Sequence, residues 1–172
     1  MSARTAGHFP MPRWAYVPGE TAESEADYET LAQAKLLVPA RFRDYVPARH
    51  PAIRYGLALN DAGYFWEAQE VLQAVWAAAP QGGRERILLR ACIHIANANL
   101  RLRMKKPHAA ARLLGEAMVE LQALGARKAV VAGDGFVACF PSAALAARLQ
   151  TKLALPALSK SDWVAIGTAG RI

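Results

Sequence analysis

Glu67, Gln69, Glu70 and Gln73 place two carboxylates and two amides on one short run, the densest group of potentially reactive side chains in the chain. Glu67 and Glu70 are three apart, a spacing that lets both point to one side of a helix. Farther on, His94 and Asn97 are also three apart, with Arg90 one turn before and Arg101 one turn after. If the helices carrying these residues pack together, carboxylates meet imidazole, amide and guanidinium. Three chemistries follow. Glu67 or Glu70 could serve as a general base tuned by burial, with His94 as its partner and Gln69, Gln73, Asn97 and Arg90 holding a small molecule. Glu67, Glu70 and His94 could instead ligate a metal, as in helical-bundle carboxylate sites. Those sites draw a Glu-x-x-His from each of two helices, and no such pair occurs, so neither a metal nor a cofactor is expected. The third reading is a buried hydrogen-bond network, because an unsatisfied polar group in a core costs about 1–3 kcal/mol. That reading carries the most weight.

The elements that must position these residues are helical. Phe65, Ala68, Leu72, Val75 and Ala79 recur at helical spacing, with Trp76 beside them, and predict an amphipathic helix from Tyr64 to Ala79 with the four polar residues on its other side. Pro51 opens the helix before it and Gly63 ends that one, so the two form a tight hairpin. Arg84 to Lys105 is apolar nearly all round and reads as a central helix covered by its neighbours. Pro107 opens a partner that runs to Leu124 and is closed by Gly125. An earlier helix spans about Ser24 to Leu37, and Ser142 caps a last one through about Lys152. The expectation is all-α: a single compact bundle of five or six helices around Arg84–Lys105. Residues 1–19, with three prolines and the aromatics Phe9, Trp14 and Tyr16, read as an extended arm lying on the body. Residues 20–155 form the bundle. Residues 156–172 form a tail whose Trp163, Val164 and Ile166 pack back.

Composition narrows the class. A chain of 172 residues with 53% hydrophobic and 20% charged content suits one globular domain. Cys92 and Cys139 are too few for a disulfide framework, and Cys92 falls in an apolar helical register as a small hydrophobe. A reducing cytoplasm fits, with no secretory leader and no membrane span in the pattern. The net charge of +7 is uneven: acidic residues crowd Glu20–Glu29, leaving basic groups at Arg41–Arg54 and Arg101–Arg112. No nucleic-acid recognition motif accompanies that charge, so a solvated face is preferred to a nucleic-acid surface. Gly133-Asp134-Gly135 lacks the Gly-Lys-Ser/Thr of a phosphate loop, and His8, His50 and His108 are scattered surface or cap residues. The partner expected is a second copy or another protein, from the helix-hairpin construction and the aromatics near arm and tail.

His50-Pro51, Gly63-Tyr64-Phe65-Trp66-Glu67-Ala68, Glu70-Val71-Leu72 and Trp76 resemble the family called domain of unknown function 309. The apolar helix Leu88–Leu102 and the small-residue-rich helix Ala109–Leu121 continue the likeness. The resemblance spans about His50 to Leu124 and implies a compact all-helical domain without an established activity. The family pattern reads Glu-Ala-His-Glu followed by a further Glu, where this chain has Gln69 and Gln73. It reads Leu-Ile-Gln where this chain has Cys92-Ile93-His94. An amide keeps hydrogen bonds but loses basicity, so the departures favour a structural network over a reactive site.

Overall fold

A computed structural model describes residues 9–22, 25–127 and 133–167. The described residues form seven helices and no strand: α1 (Tyr28–Leu36), α2 (Pro51–Asp61), α3 (Phe65–Ala78), α4 (Arg84–Arg103), α5 (Pro107–Ala126), the short α6 (Phe136–Cys139) and α7 (Ser142–Leu153). The class is all-α as expected. The count exceeds five or six because α6 forms in a stretch read as irregular.

Local chemistry sets the helix ends. His50 caps α2 with its ring Nδ1, which accepts from the Ala52 amide at 3.2 Å, while Pro51 supplies a preset first φ. Gly63 follows the end of α2 at φ +92°, a value that favours glycine, and turns the chain straight into α3. α1 begins later than expected because Asp27 is its cap, bonded by the Thr30 amide; Ser24 lies outside the described residues. Two expected boundaries shift. Gly125 does not close α5, which continues through Ala126. Ser142 does not cap α7 but is its first residue, after Pro141.

α4 is the hub, packing on α3, α5 and α6. α4 and α5 run antiparallel, as two contacts show: the Arg90–Glu120 ion pair at 3.4 Å and His94 Nδ1 beside the Glu116 carboxylate at 3.7 Å, one turn forward on α4 matching one turn back on α5. Leu88, Leu89, Cys92, Ile95 and Leu102 are buried on α4, with Val71, Leu72 and Val75 of α3 and Leu114 and Leu124 of α5 against them. The expectation that α4 lacks a polar face needs correction. Arg86, Arg90, His94, Asn97 and Arg101 recur every three or four residues as a stripe outside the fully buried rows. α2 and α3 approach closely at Gly56, where an added Cβ would lie 2.7 Å from Leu72 Cδ2.

Two irregular segments complete the core. In the first, the residues of the arm from Phe9 to Val17 run over α1–α3, with Phe9 against Tyr55 and Val17 buried. In the second, Trp163–Ile166 crosses α2 and α4, with Val164 and Ile166 fully buried.

Candidate functional site

α3 presents Glu67 differently from its polar neighbours. Glu67 does not sit on the solvent side of the helix but in a buried row with Val71 and Ala78, and its residue is 0% exposed. Gln69 and Glu70 are half-buried and Gln73 is exposed. The turn at Gly63 rotates α3 so that this row faces the arm.

The arm supplies the one bond that Glu67 receives from outside its own residue. The Tyr16 amide donates to Oε2 at 2.8 Å, while Oε1 is buried with no hydrogen-bond partner among the described residues. Burial raises the Glu67 pKa above the ordinary glutamate value; the Tyr16 amide opposes this, and the nearby carboxylates of Asp27 and Glu70 add to it. Aromatic edges close the place: Tyr16 meets Trp66 at 5.0 Å and Tyr28 meets the same ring at 5.4 Å. Tyr55 donates to the Pro10 carbonyl at 2.8 Å, and burial pushes its phenol up to about 12. Asp27 accepts from the Arg13 amide at 3.1 Å. Burial acts to raise the Asp27 pKa, but the bonds from Thr30 and Arg13 outweigh it and hold the carboxyl below its usual range.

The other candidates have partners elsewhere. Glu70 pairs with Lys35 of α1 at 2.9 Å. His94 pairs with Glu116 of α5. Arg90 pairs with Glu120 and lies 5.6 Å over the Trp76 ring, beside Arg86 at 4.2 Å. Gln69 bonds within its own helix to the Phe65 carbonyl at 3.5 Å. Asn97 is half-buried. Glu67, Glu70 and His94 are therefore engaged by three different elements: the arm, α1 and α5. Among the described residues no group of three or more His, Cys, Asp or Glu is placed to hold a metal ion. Three clefts are lined by other residues altogether, one along Pro107 and Leu155, one along Arg84 and Phe140, one along Asp61 and Trp163.

A second polar centre escaped the sequence reading. Asn99 of α4 is fully buried, and its Nδ2 donates to the Val164 carbonyl and to Asn60 Oδ1, both at 2.8 Å. The Val164 amide returns a bond to Asn99 Oδ1 at 2.7 Å. One amide side chain thus pairs both backbone groups of Val164, as a strand neighbour would. Asn60 adds a bond to the same carbonyl at 3.1 Å, and Asp61 accepts from the Ile166 amide at 2.7 Å. The signal was available. Leu88, Cys92, Ile95, Asn99 and Leu102 share one helical row, so an amide at 99 sits among core positions, whereas Asn97 does not.

Residues 53–113 match the family model described as a domain of unknown function, DUF309. The match lies inside the span of the resemblance and covers α2 from Ile53, all of α3 and α4, and the start of α5. Glu67, Asn60 and Asn99 lie within the DUF309 segment. Tyr16 and Val164, which occupy them, lie outside it on opposite sides. No curated protein and no solved structure matches the chain.

Proposed function

We propose that the protein is a non-catalytic helical domain that self-associates through the face made by its arm and α1. The observation in support is the placing of its exposed apolar side chains. Nine large ones are exposed among the described residues, and five, Met11, Trp14, Tyr28, Leu36 and Leu37, fall on the arm, on α1 or at its C-cap. Leu36 is 82% exposed, while Leu31 and Ala34 of the same helix are buried. A helix that keeps Tyr28 and Leu36 exposed beside Glu29 and Gln33, with its other side buried, is fitted to a second surface. The separate engagement of Glu67, Glu70 and His94 also speaks for a structural role. Two free cysteines suit a reducing cytoplasm. Sedimentation of the wild type and of Leu36→Glu/Leu37→Glu tests the reading: a concentration-dependent dimer that the double variant abolishes is expected. A wild type monomeric at every concentration, with no protein captured, would overturn it.

A second reading, a small-molecule or hydrolase-like site using Glu67, Glu70 and His94, rests on the unpaired oxygen of Glu67 and its raised proton affinity. Glu70→Gln would then fold normally and lose binding or turnover. On the structural reading it loses only the half-exposed Lys35 pair, worth at most about 1 kcal/mol.

A further inference from the structure

The cleft beside Arg84 combines features that the other two do not. It measures about 520 Å³, within the range of small-molecule sites, and lies between the end of α5 and the α6–α7 corner. Leu121, Leu124, Val137, Phe140 and Ala146 make its walls largely apolar. Arg84, the first residue of α4, also lines it, and the buried Nε of that guanidinium has no hydrogen-bond partner among the described residues. Its Nη2 reaches the Leu124 carbonyl only at 3.5 Å, the outer limit of such a bond. Near it, Arg127 is directed to the Gly82 carbonyl at 2.7 Å. The neighbouring acid, Glu85, is buried; desolvation raises its pKa, and the Arg84 charge acts to lower it.

A guanidinium at the wall of an apolar cleft has a defined complement. A carboxylate satisfies the fork of a guanidinium with two parallel bonds, and a hydrocarbon chain satisfies the leucine, valine and phenylalanine walls. A phosphate monoester would bring a second negative charge against the carbonyl end of α5. A neutral apolar molecule would add nothing to offset the Arg84 charge. We infer that this cleft binds a single-chain apolar carboxylate of the fatty-acid type, with its head on Arg84 and its chain between α5 and α7.

Titration calorimetry of the full chain with decanoate, below its micellar concentration, tests this, with decanol as the uncharged control. Saturable decanoate binding is expected, with decanol at least tenfold weaker. Arg84→Met should bring decanoate down to the level of decanol. Ala143→Phe, which fills the cleft and keeps the guanidinium, should weaken both, so the test survives if the Arg84 variant fails to fold. Equal binding of decanoate and decanol, no binding of decanoate, or an unchanged decanoate affinity in Ala143→Phe would each overturn the inference.

Discussion

The arm and the tail are both held by a polar side chain rising from the helical core, yet the two attachments differ in completeness. At the tail, Asn99 uses its carbonyl and its amide on Val164, with Asn60 and Asp61 filling the remaining demand. At the arm, Glu67 takes one amide bond on Oε2 and leaves Oε1 buried and unpaired. The first arrangement is centred on a neutral amide whose oxygen and nitrogen are both paired. The second holds an acid whose charged form is disfavoured by burial. An amide against extended backbone makes a permanent clip. A carboxylate in the same role makes an attachment whose strength depends on its proton.

The largest effect should come from Asn99→Ala. It strands the Val164 amide and the Asn60 side-chain carbonyl and leaves the Val164 carbonyl only its bond from Asn60, and is expected to cost about 3 kcal/mol, or roughly 6–12 °C in Tm, by denaturant and thermal unfolding. A loss below about 1 kcal/mol would break the comparison by showing that water or rearrangement satisfies the tail. Next is Glu67→Leu, which leaves the Tyr16 amide without its acceptor but removes a buried acid. The expected cost is about 1–2 kcal/mol near pH 4, below the ordinary glutamate value and so below the raised one, and less at pH 8.

The pH dependence sharpens the contrast. A carboxyl whose folded pKa is raised binds its proton more tightly in the folded state. Its stabilisation is therefore fully present below the ordinary value of 4.5 and is lost as pH rises through the raised value. Glu67→Gln keeps the acceptor and removes the titration. Relative to this variant, the wild type should be more stable near pH 4.5 than at pH 8, measured by thermal unfolding at both, and an identical pH profile for the two would refute the assignment. Asp27 works in the opposite sense: its pKa is lowered, and its contribution fades only as pH falls below about 3.8. The smallest effect belongs to Gly167→Ala beside the tail. Its Cβ would meet Asp61 Oδ2 at 2.9 Å, and a cost of about 1 kcal/mol in denaturant unfolding is expected.

The helical frame was legible because it depends on local signals. Pro51, Gly63, Pro107 and the apolar periodicities of α3, α4 and α5 each act within a few residues of themselves. The candidate site was less legible because its partners are remote. Glu67 could be singled out as a carboxylate of interest, but its buried row shows only when the whole phase of α3 is drawn, and its partner Tyr16 lies 51 residues away. Asn99 was passed over for Asn97 because α4 was read as apolar all round, so no face was assigned. Once the row Leu88–Cys92–Ile95 is traced, the amide that must be buried is Asn99. What no local pattern contains is the route of the irregular segments, which bond to the helices through backbone atoms that every residue type carries.

The tail clip also bears on how the chain comes into being. Asn99 and Val164 are 65 residues apart, so a growing polypeptide releases α2, α3, α4 and α5 well before the segment that covers Asn60 and Asn99. Until Val164 emerges, those amides face water beneath an otherwise formed bundle. Tyr16, by contrast, is already outside when Glu67 arrives. Translation therefore makes the two attachments in a set order, the pH-responsive one first, and closure of the core waits on the later one.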